Sequence, residues 1–426
     1  GRDGHDEDAH RAPARPVLAA GRQAREGGVP HGDPRADQRR AEYIHRRVSE
    51  TTGRVSRRKH SAPVVLQPGT PSSSTPSSSS SLSSSATSST NLPATSGSAL
   101  NTGNYVVPIR LGTPAARFTV VFDTGSDTTW VQCQPCVAYC YRQKEPLFTP
   151  TKSTTYANIS CTSSYCSDLD SSGCSGGHCL YAVQYGDGSY TVGFYAQDTL
   201  TLGYDTVKAF RFGCGEKNRG LFGKSAGLMG LGRGSTSLPV QAYDKYSGVF
   251  AYCLPATSAG TGFLDFGPGA PAAANARLTP MLVDNGPTFY YVGMTGIKVG
   301  GHLLSIPGSV FSDAGALVDS GTVITRLPPS AYEPLRSAFA KGMKGLGYKT
   351  APAFSILDTC YDLTGYQGSI ALPAVSLVFQ GGACLDVDAS GILYVADVSQ
   401  ACLAFAANDD DTDVAIVGNT QQKTYS

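Results

Sequence analysis

From about residue 100 the chain alternates short apolar runs with Gly, Pro, Asp and Ser, which is the texture of strands joined by tight turns. NYVVPIRLGTPAARFTVVFDTG, 104–125, predicts a strand, a turn at Gly-Thr-Pro, and a second strand ending on an aspartate. YYVGMTGIKVGGHLL, 290–304, predicts a hairpin, and so does QYGDGSYTVG, 184–193, with Asp187-Gly188 at its tip. Only SAYEPLRSAFAKGM, 330–343, has the 3.6-residue period of a helix in this region, with Ser330 as the expected N-cap. Upstream, a basic amphipathic helix is expected from about Asp37 to Glu50. The fold class expected is all-β with few short helices.

The apolar pattern also repeats. VVFDTGS, 120–126, recurs as ALVDSGT, 316–322: an apolar run, then Asp, a hydroxyl residue, Gly and another hydroxyl residue. Each copy is followed at a similar distance by an apolar-apolar-Gly element, GLMGLG carrying Gly230 and AIVGNT carrying Gly418. Two lobes with one internal plan account for this repetition. The arrangement predicts that Asp123 and Asp319 face each other at the junction between the lobes. Two carboxylates that close cannot both ionise, so they share a proton and titrate as a pair. One then serves as base toward a water while the other, protonated, polarises a carbonyl. Gly125 and Gly321 allow close backbone approach, Ser126 and Thr322 can hold carboxylate oxygens, and Thr124 and Ser320 can hydrogen-bond across the two turns. The pair activates water by itself, so neither a metal nor another cofactor is called for.

Composition narrows the alternatives. The formal net charge of +1 conceals a split: residues 1–60 carry 14 Lys+Arg against 9 Asp+Glu, and five of the seven histidines. Only His178 and His302 remain for the body, which weighs against a serine triad built on GCSGG (173–177) or GKSAG (223–227). Between Ser72 and Ser98, 15 of 27 residues are serine, a stretch unable to bury a core. All 12 cysteines lie between Cys133 and Cys402, pointing to an oxidising compartment. The mirrored spacing of Cys161, Cys166, Cys174 and Cys179 suggests nested bridges, Cys161–Cys179 and Cys166–Cys174. Zinc is the rival reading for these four together with Cys133, Cys136 and Cys140, disfavoured because His178 is the only nearby histidine and the compartment reads as oxidising. No apolar run reaches membrane-spanning length. Asn158-Ile159-Ser160 is a glycosylation sequon.

On these motifs the sequence over about residues 100–426 resembles the pepsin-like aspartic proteases, and within them the plant nepenthesin-type branch, which includes a plastid-nucleoid DNA-binding member. The resemblance implies a bilobal fold with a cleft between pseudo-symmetric lobes, and makes Asp123 and Asp319 the catalytic dyad. It makes the 184–193 hairpin a flap, in which Tyr185, Gly186, Asp187 and Gly188 close over substrate and Trp130 supports Tyr185. It further implies the bridges Cys133–Cys136, Cys140–Cys214 and Cys360–Cys402, leaving Cys253 and Cys384 unpaired.

The domain organisation expected is therefore a propeptide remnant over 1–60, with the true N-terminus incomplete or mis-assembled, and a flexible Ser/Pro-rich linker over 61–99. A first lobe with a Cys-rich insert follows over 100–285, then a second lobe over 286–426 that stops short of its end. The function expected is hydrolysis of peptide bonds at acidic pH by a zymogen-derived monomer. Its partners are protein or peptide substrates and its own propeptide, and its setting is the secretory pathway, with the plastid as alternative. Two other functions remain on this reading: a catalytically dead inhibitor or binding protein, and DNA binding through the basic leader.

Overall fold

The computed structural model describes residues 17–20, 34–52, 88–269, 277–282, 286–311, 315–366 and 368–424. The chain is mostly β-sheet with six α-helices among the described residues. A twelve-stranded sheet carries the first half, and sheets of five, four and four strands carry the second. Two large apolar cores lie beneath them. One gathers Val107, Phe118, Phe122, Phe212 and Met229, the other Ile297, Leu327, Leu335, Phe339 and Leu403.

The sequence repeat is also a topological repeat. Strand Ala116–Asp123 runs parallel to Gly227–Gly230, pairing Asp123 with Gly230. Strand Ala316–Val318 runs parallel to Ala415–Val417, with Val318 opposite Val417. Past each aspartate the chain returns antiparallel to the same partner, as Trp130–Gln132 in one half and Thr325–Leu327 in the other. Thr129 and Thr325, each six residues beyond its aspartate, accept hydrogen bonds from the N–H of Gly230 and Gly418 at 3.1 and 3.0 Å. Glycine is required at both: a Cβ would lie 2.1 Å from the Asp127 carbonyl oxygen at Gly230 and 2.9 Å from that of Val323 at Gly418. Apolar-apolar-Gly thus marks where one backbone passes against the aspartate turn.

The predicted hairpins form. Tyr105–Leu111 pairs with Ala116–Asp123, Met294–Val299 with His302–Leu303, and His178–Gln184 with Tyr190–Leu202. The upstream helix runs Pro34–Thr52, slightly longer than expected, with Pro34 in the first turn where its missing N–H costs nothing. It buries a stripe of Asp37, Ala41, Ile44 and Val48, and the apolar three pack with Phe289, Tyr291, Leu317, Val414 and Ile416.

Three expectations are corrected. The stretch 61–99 is not linker throughout: Thr90–Ser96 is a strand antiparallel to Thr261–Phe266, and Gly97–Leu100 a 3-10 helix. Leu92 and Ala94 alternate inward there, a period-2 signal submerged in serine and threonine. Ser330 is not the N-cap of its helix, which spans Pro329–Gly345 with Pro328 at the cap. The free N–H of Ser330 is instead satisfied by Asp411, at 2.7 Å, from a distant loop.

Four of the five expected disulfides are paired differently. The bonds are Cys133–Cys214, Cys136–Cys140, Cys161–Cys174 and Cys166–Cys179, in place of Cys133–Cys136, Cys140–Cys214, Cys161–Cys179 and Cys166–Cys174. Cys133 follows strand Trp130–Gln132, whose parallel neighbour carries Cys214, so register brings those two Cα atoms within 5.3 Å. In the insert, burial sorts the partners. Cys166 and Cys179 turn into a core with Ile159 and Tyr181, while Cys161 and Cys174 stay toward the surface. Mirrored spacing fits crossed and nested bridges equally, so spacing alone could not choose. Cys360–Cys402 are bonded as cross-strand neighbours, and Cys253 and Cys384 are free thiols.

Candidate active site

Each aspartate turn is built the same way. Asp123 Oδ1 accepts from the Gly125 N–H at 3.0 Å and Oδ2 from the Ser126 hydroxyl at 2.6 Å. Asp319 Oδ1 accepts from the Gly321 N–H at 2.9 Å and Oδ2 from the Thr322 hydroxyl at 2.5 Å. The second hydroxyl residues cross over. The Thr124 N–H donates to Ser320 Oγ at 3.1 Å, the Ser320 N–H to Thr124 Oγ1 at 2.9 Å, and each hydroxyl donates onward to a backbone carbonyl of the opposite strand. Asn419 Nδ2 donates to the Ser320 carbonyl at 3.0 Å and locks the second turn further.

Asp123 and Asp319 are both 0% exposed. A Cβ added to Gly125 would lie 2.6 Å from Asp319 Oδ1, and one added to Gly321 2.2 Å from Asp123 Oδ1, so each glycine makes room for the opposite carboxylate. One cation bridges them. Arg40, from the helix Pro34–Thr52, places Nη2 at 2.7 Å from Asp123 Oδ1, with 2.9 and 3.1 Å to the two oxygens of Asp319. Its Nε donates to Asp319 Oδ2 and to Thr322 Oγ1. The carboxylates divide electrostatically. Burial, aided by the charge of Asp319, pushes Asp123 above its ordinary range despite Arg40. For Asp319, burial acts upward as well, but Arg40, Thr322 and Gly321 outweigh it and hold the group below its usual value. Burial opposes the charge of Arg40, yet the two aspartates raise its pKa further.

The hairpin tip lies over this pair. Gly188, at φ +83°, donates to the Tyr185 carbonyl, and Asp187 accepts from both the N–H and the hydroxyl of Ser189, closing a stiff turn. Tyr185 is buried, and its hydroxyl accepts from Trp130 Nε1 at 2.8 Å. Phe222 packs edge-on against both rings. Gly186 abuts the helix: a Cβ there would lie 2.5 Å from the Arg40 Cα. Asn158, the sequon residue, is half-buried with its Oδ1 accepting from the Tyr156 hydroxyl.

The helix makes further polar contacts on this face. Arg39 Nε donates to the Asp187 carbonyl at 3.0 Å, and Arg47 pairs with Asp170 of the Cys-rich insert at 2.8 Å. His45 Nε2 donates to the Val414 carbonyl at 3.0 Å. Asp37 accepts from the N–H groups of Val323 and Ile324 and pairs with Arg326. Beside the helix remains a cavity of about 690 Å³, bordered by Ser126, Asp127, Thr128, Tyr190 and Thr288.

Arg40 and Arg326 were missed from sequence. Arg40 sits within a basic run that reads as a solvated face. For Arg326 a signal existed: extending the repeat seven residues past each aspartate aligns Trp130 with Arg326, and the sheet pairing makes them equivalent.

Comparison with known proteins agrees with this architecture. The N-terminal domain of the xylanase inhibitor family matches residues 105–268, and its C-terminal domain matches 289–426. The chain is 49% identical to an aspartyl protease family protein of Arabidopsis thaliana over 342 residues, covering 79% of this chain and 71% of that protein. It is 35% identical to aspartic proteinase nepenthesin-2 of Nepenthes gracilis over 331 residues, covering 75% and 74%. Among solved structures, basic 7S globulin from soybean superimposes with a TM-score of 0.61 at 20% identity, covering 79% of this chain and 92% of the globulin. That likeness concerns the fold. With two matching aspartate turns on a repeated sheet and relatives at these identities, the chain belongs to the pepsin-like aspartic protease family, in the plant branch that contains the nepenthesins.

Proposed function

We propose that this protein is an aspartic endopeptidase held as a zymogen by its own N-terminal helix. The observation that carries the reading is the bridging of both buried carboxylates by one nitrogen of Arg40, at 2.7 and 2.9 Å. An atom so placed stands where a hydrolytic water must lie to be held by both groups. With the helix gone, water takes that place. The ionised carboxylate removes its proton as it attacks the scissile carbonyl, and the protonated one donates to the carbonyl oxygen. The result is a neutral tetrahedral diol with no covalent bond to the enzyme, and its collapse returns the protons. Without Arg40 the two buried carboxylates cannot both ionise, so they share one proton and supply an acid and a base in one site.

The helix then serves as propeptide. It covers the dyad, touches the hairpin tip through Arg39 and closes against the insert through Arg47. These contacts engage Arg39, Arg40 and Arg47 with protein acceptors and leave those three poorly placed to meet nucleic-acid phosphates. The disulfides and the sequon at Asn158 favour passage through the secretory pathway.

The deciding experiment is cleavage of denatured haemoglobin or casein across pH 2–7 after acid treatment. Turnover confined to acidic pH, released from the helix by proteolysis and abolished by a pepstatin-like inhibitor, supports the reading. Absence of turnover from protein shown to have lost the helix overturns it in favour of a binding protein, which xylanase inhibition would then identify.

A further inference from the structure

We infer that Arg326, with the backbone N–H groups of Val323 and Ile324, forms a carboxylate-recognising subsite that selects peptide substrates bearing an acidic side chain near the scissile bond. This inference rests on the peptidase reading and deepens it.

In the first lobe the position seven residues past the aspartate holds Trp130, whose indole N–H is satisfied by Tyr185. In the second lobe the same position holds a guanidinium that is 1% exposed. Strand Thr325–Leu327 is hydrogen-bonded on both sides, parallel to Phe405–Ala407 and antiparallel to Ala415–Val417, so its backbone is fixed. Among the described residues, the acceptors of the guanidinium come from the helix. Nη2 lies 3.2 Å from Asp37 Oδ2 and Nη1 donates to Gln38 Oε1 at 2.8 Å, while Nε, equally buried, has no hydrogen-bond partner. The Asp37 carboxylate is also the acceptor for Val323 N–H at 2.7 Å and Ile324 N–H at 2.9 Å. Three donors from three consecutive features of one turn and strand thus converge on a single carboxylate, in a geometry no apolar or cationic group could satisfy.

Both acceptors leave when the helix leaves. A guanidinium on a fixed strand and two adjacent N–H groups then face the space the helix vacated, a convergent set of donors that an incoming carboxylate can satisfy as Asp37 does. The turn concerned follows directly on Thr322, which holds Asp319. Given roughly 3.3 Å per residue for an extended peptide, the acidic side chain falls about two or three residues from the bond cleaved. Aspartate or glutamate fits; the planar guanidinium and paired N–H groups match the two oxygens of a carboxylate better than one amide oxygen.

The test uses the protein after acid activation, assayed near pH 5, where free side-chain carboxylates are largely ionised. Quenched-fluorescence peptides are compared in isosteric pairs, Asp against Asn and Glu against Gln, placed in turn at each of the three positions on either side of the scissile bond. At one position the acidic peptide should have a kcat/KM higher by about tenfold or more, carried mainly by KM. In Arg326→Gln that ratio should fall to near one, and Arg326→Lys should retain part of it. Equal cleavage of every pair by the wild-type protein overturns the subsite whether or not either variant folds, and leaves the peptidase reading standing. Cleavage of none of the peptides overturns both.

Discussion

Thr124 and Ser320, 196 residues apart in the chain, exchange hydrogen bonds: each donates its backbone N–H to the hydroxyl oxygen of the other, at 3.1 and 2.9 Å. This exchange couples the two lobes at the level of the backbone, directly beneath the carboxylates. Replacing either residue by alanine strands a buried N–H and removes a hydroxyl donor. Thr124→Ala or Ser320→Ala should each cost about 1–3 kcal/mol in denaturant unfolding. Because the turns lose their mutual reference, kcat should fall about tenfold or more with KM little changed. A double mutant no worse than either single would show that the two hydroxyls act as one unit.

The proposed dyad makes a sharper demand. Asp123→Asn or Asp319→Asn preserves shape and most hydrogen bonds but cannot cycle a proton, so turnover should drop by at least about a thousandfold. Near-ultraviolet circular dichroism should remain close to that of the wild type. A single variant with ordinary activity would refute the pairing of roles.

Docking of the helix should depend on pH, with a definite sign. Arg40 favours the ionised aspartates, so the Asp319 pKa is lower with the helix bound than without it. Docking is therefore fully supported above the helix-free value and is lost as pH falls through the helix-bound one. Asp123, already raised by burial, protonates first and removes one of the two ion pairs. Hydrogen exchange of the Pro34–Thr52 amides should show strong protection at neutral pH that collapses as the solution becomes acidic. In Arg40→Met protection should be weaker by about tenfold or more at neutral pH and should fall less on acidification than in the wild type, the remaining fall coming from the Asp37–Arg326 and Arg47–Asp170 pairs.

Trp130 is the single tryptophan and donates to Tyr185 at the base of the hairpin tip, so intrinsic fluorescence reports this contact directly. Tyr185→Phe leaves the indole N–H buried without an acceptor. It should cost about 1–2 kcal/mol of stability and change both the emission maximum and its quenching by acrylamide. If the hairpin closes over substrate, KM should rise in the same variant. An unchanged spectrum would mean that the contact is absent in solution.

Legibility in the sequence followed the range of the interactions. The strands, the hairpins and the helix Pro34–Thr52 rest on local periodicity, and the repeat announced the two aspartate turns because each is a short segment satisfying its own hydrogen bonds. The strand Thr90–Ser96 was hidden because it follows directly on a serine-rich tract and carries Asn91, Pro93 and Thr95 outward, leaving only Leu92 and Ala94 to mark the pattern. Cap and bridge partners were harder. Ser330 receives its acceptor from Asp411, and Cys133 receives Cys214 from an adjacent strand, neither being a neighbour in sequence.

By itself, then, the sequence determined a repeated β architecture with two matched carboxylate turns, since periodicity and turn chemistry act over a few residues. Tertiary structure alone decided which cysteines meet, where Arg40 comes to rest and what Arg326 faces. Those outcomes depend on sheet register and on the packing of a helix across two lobes, and a linear pattern of residues carries no measure of either.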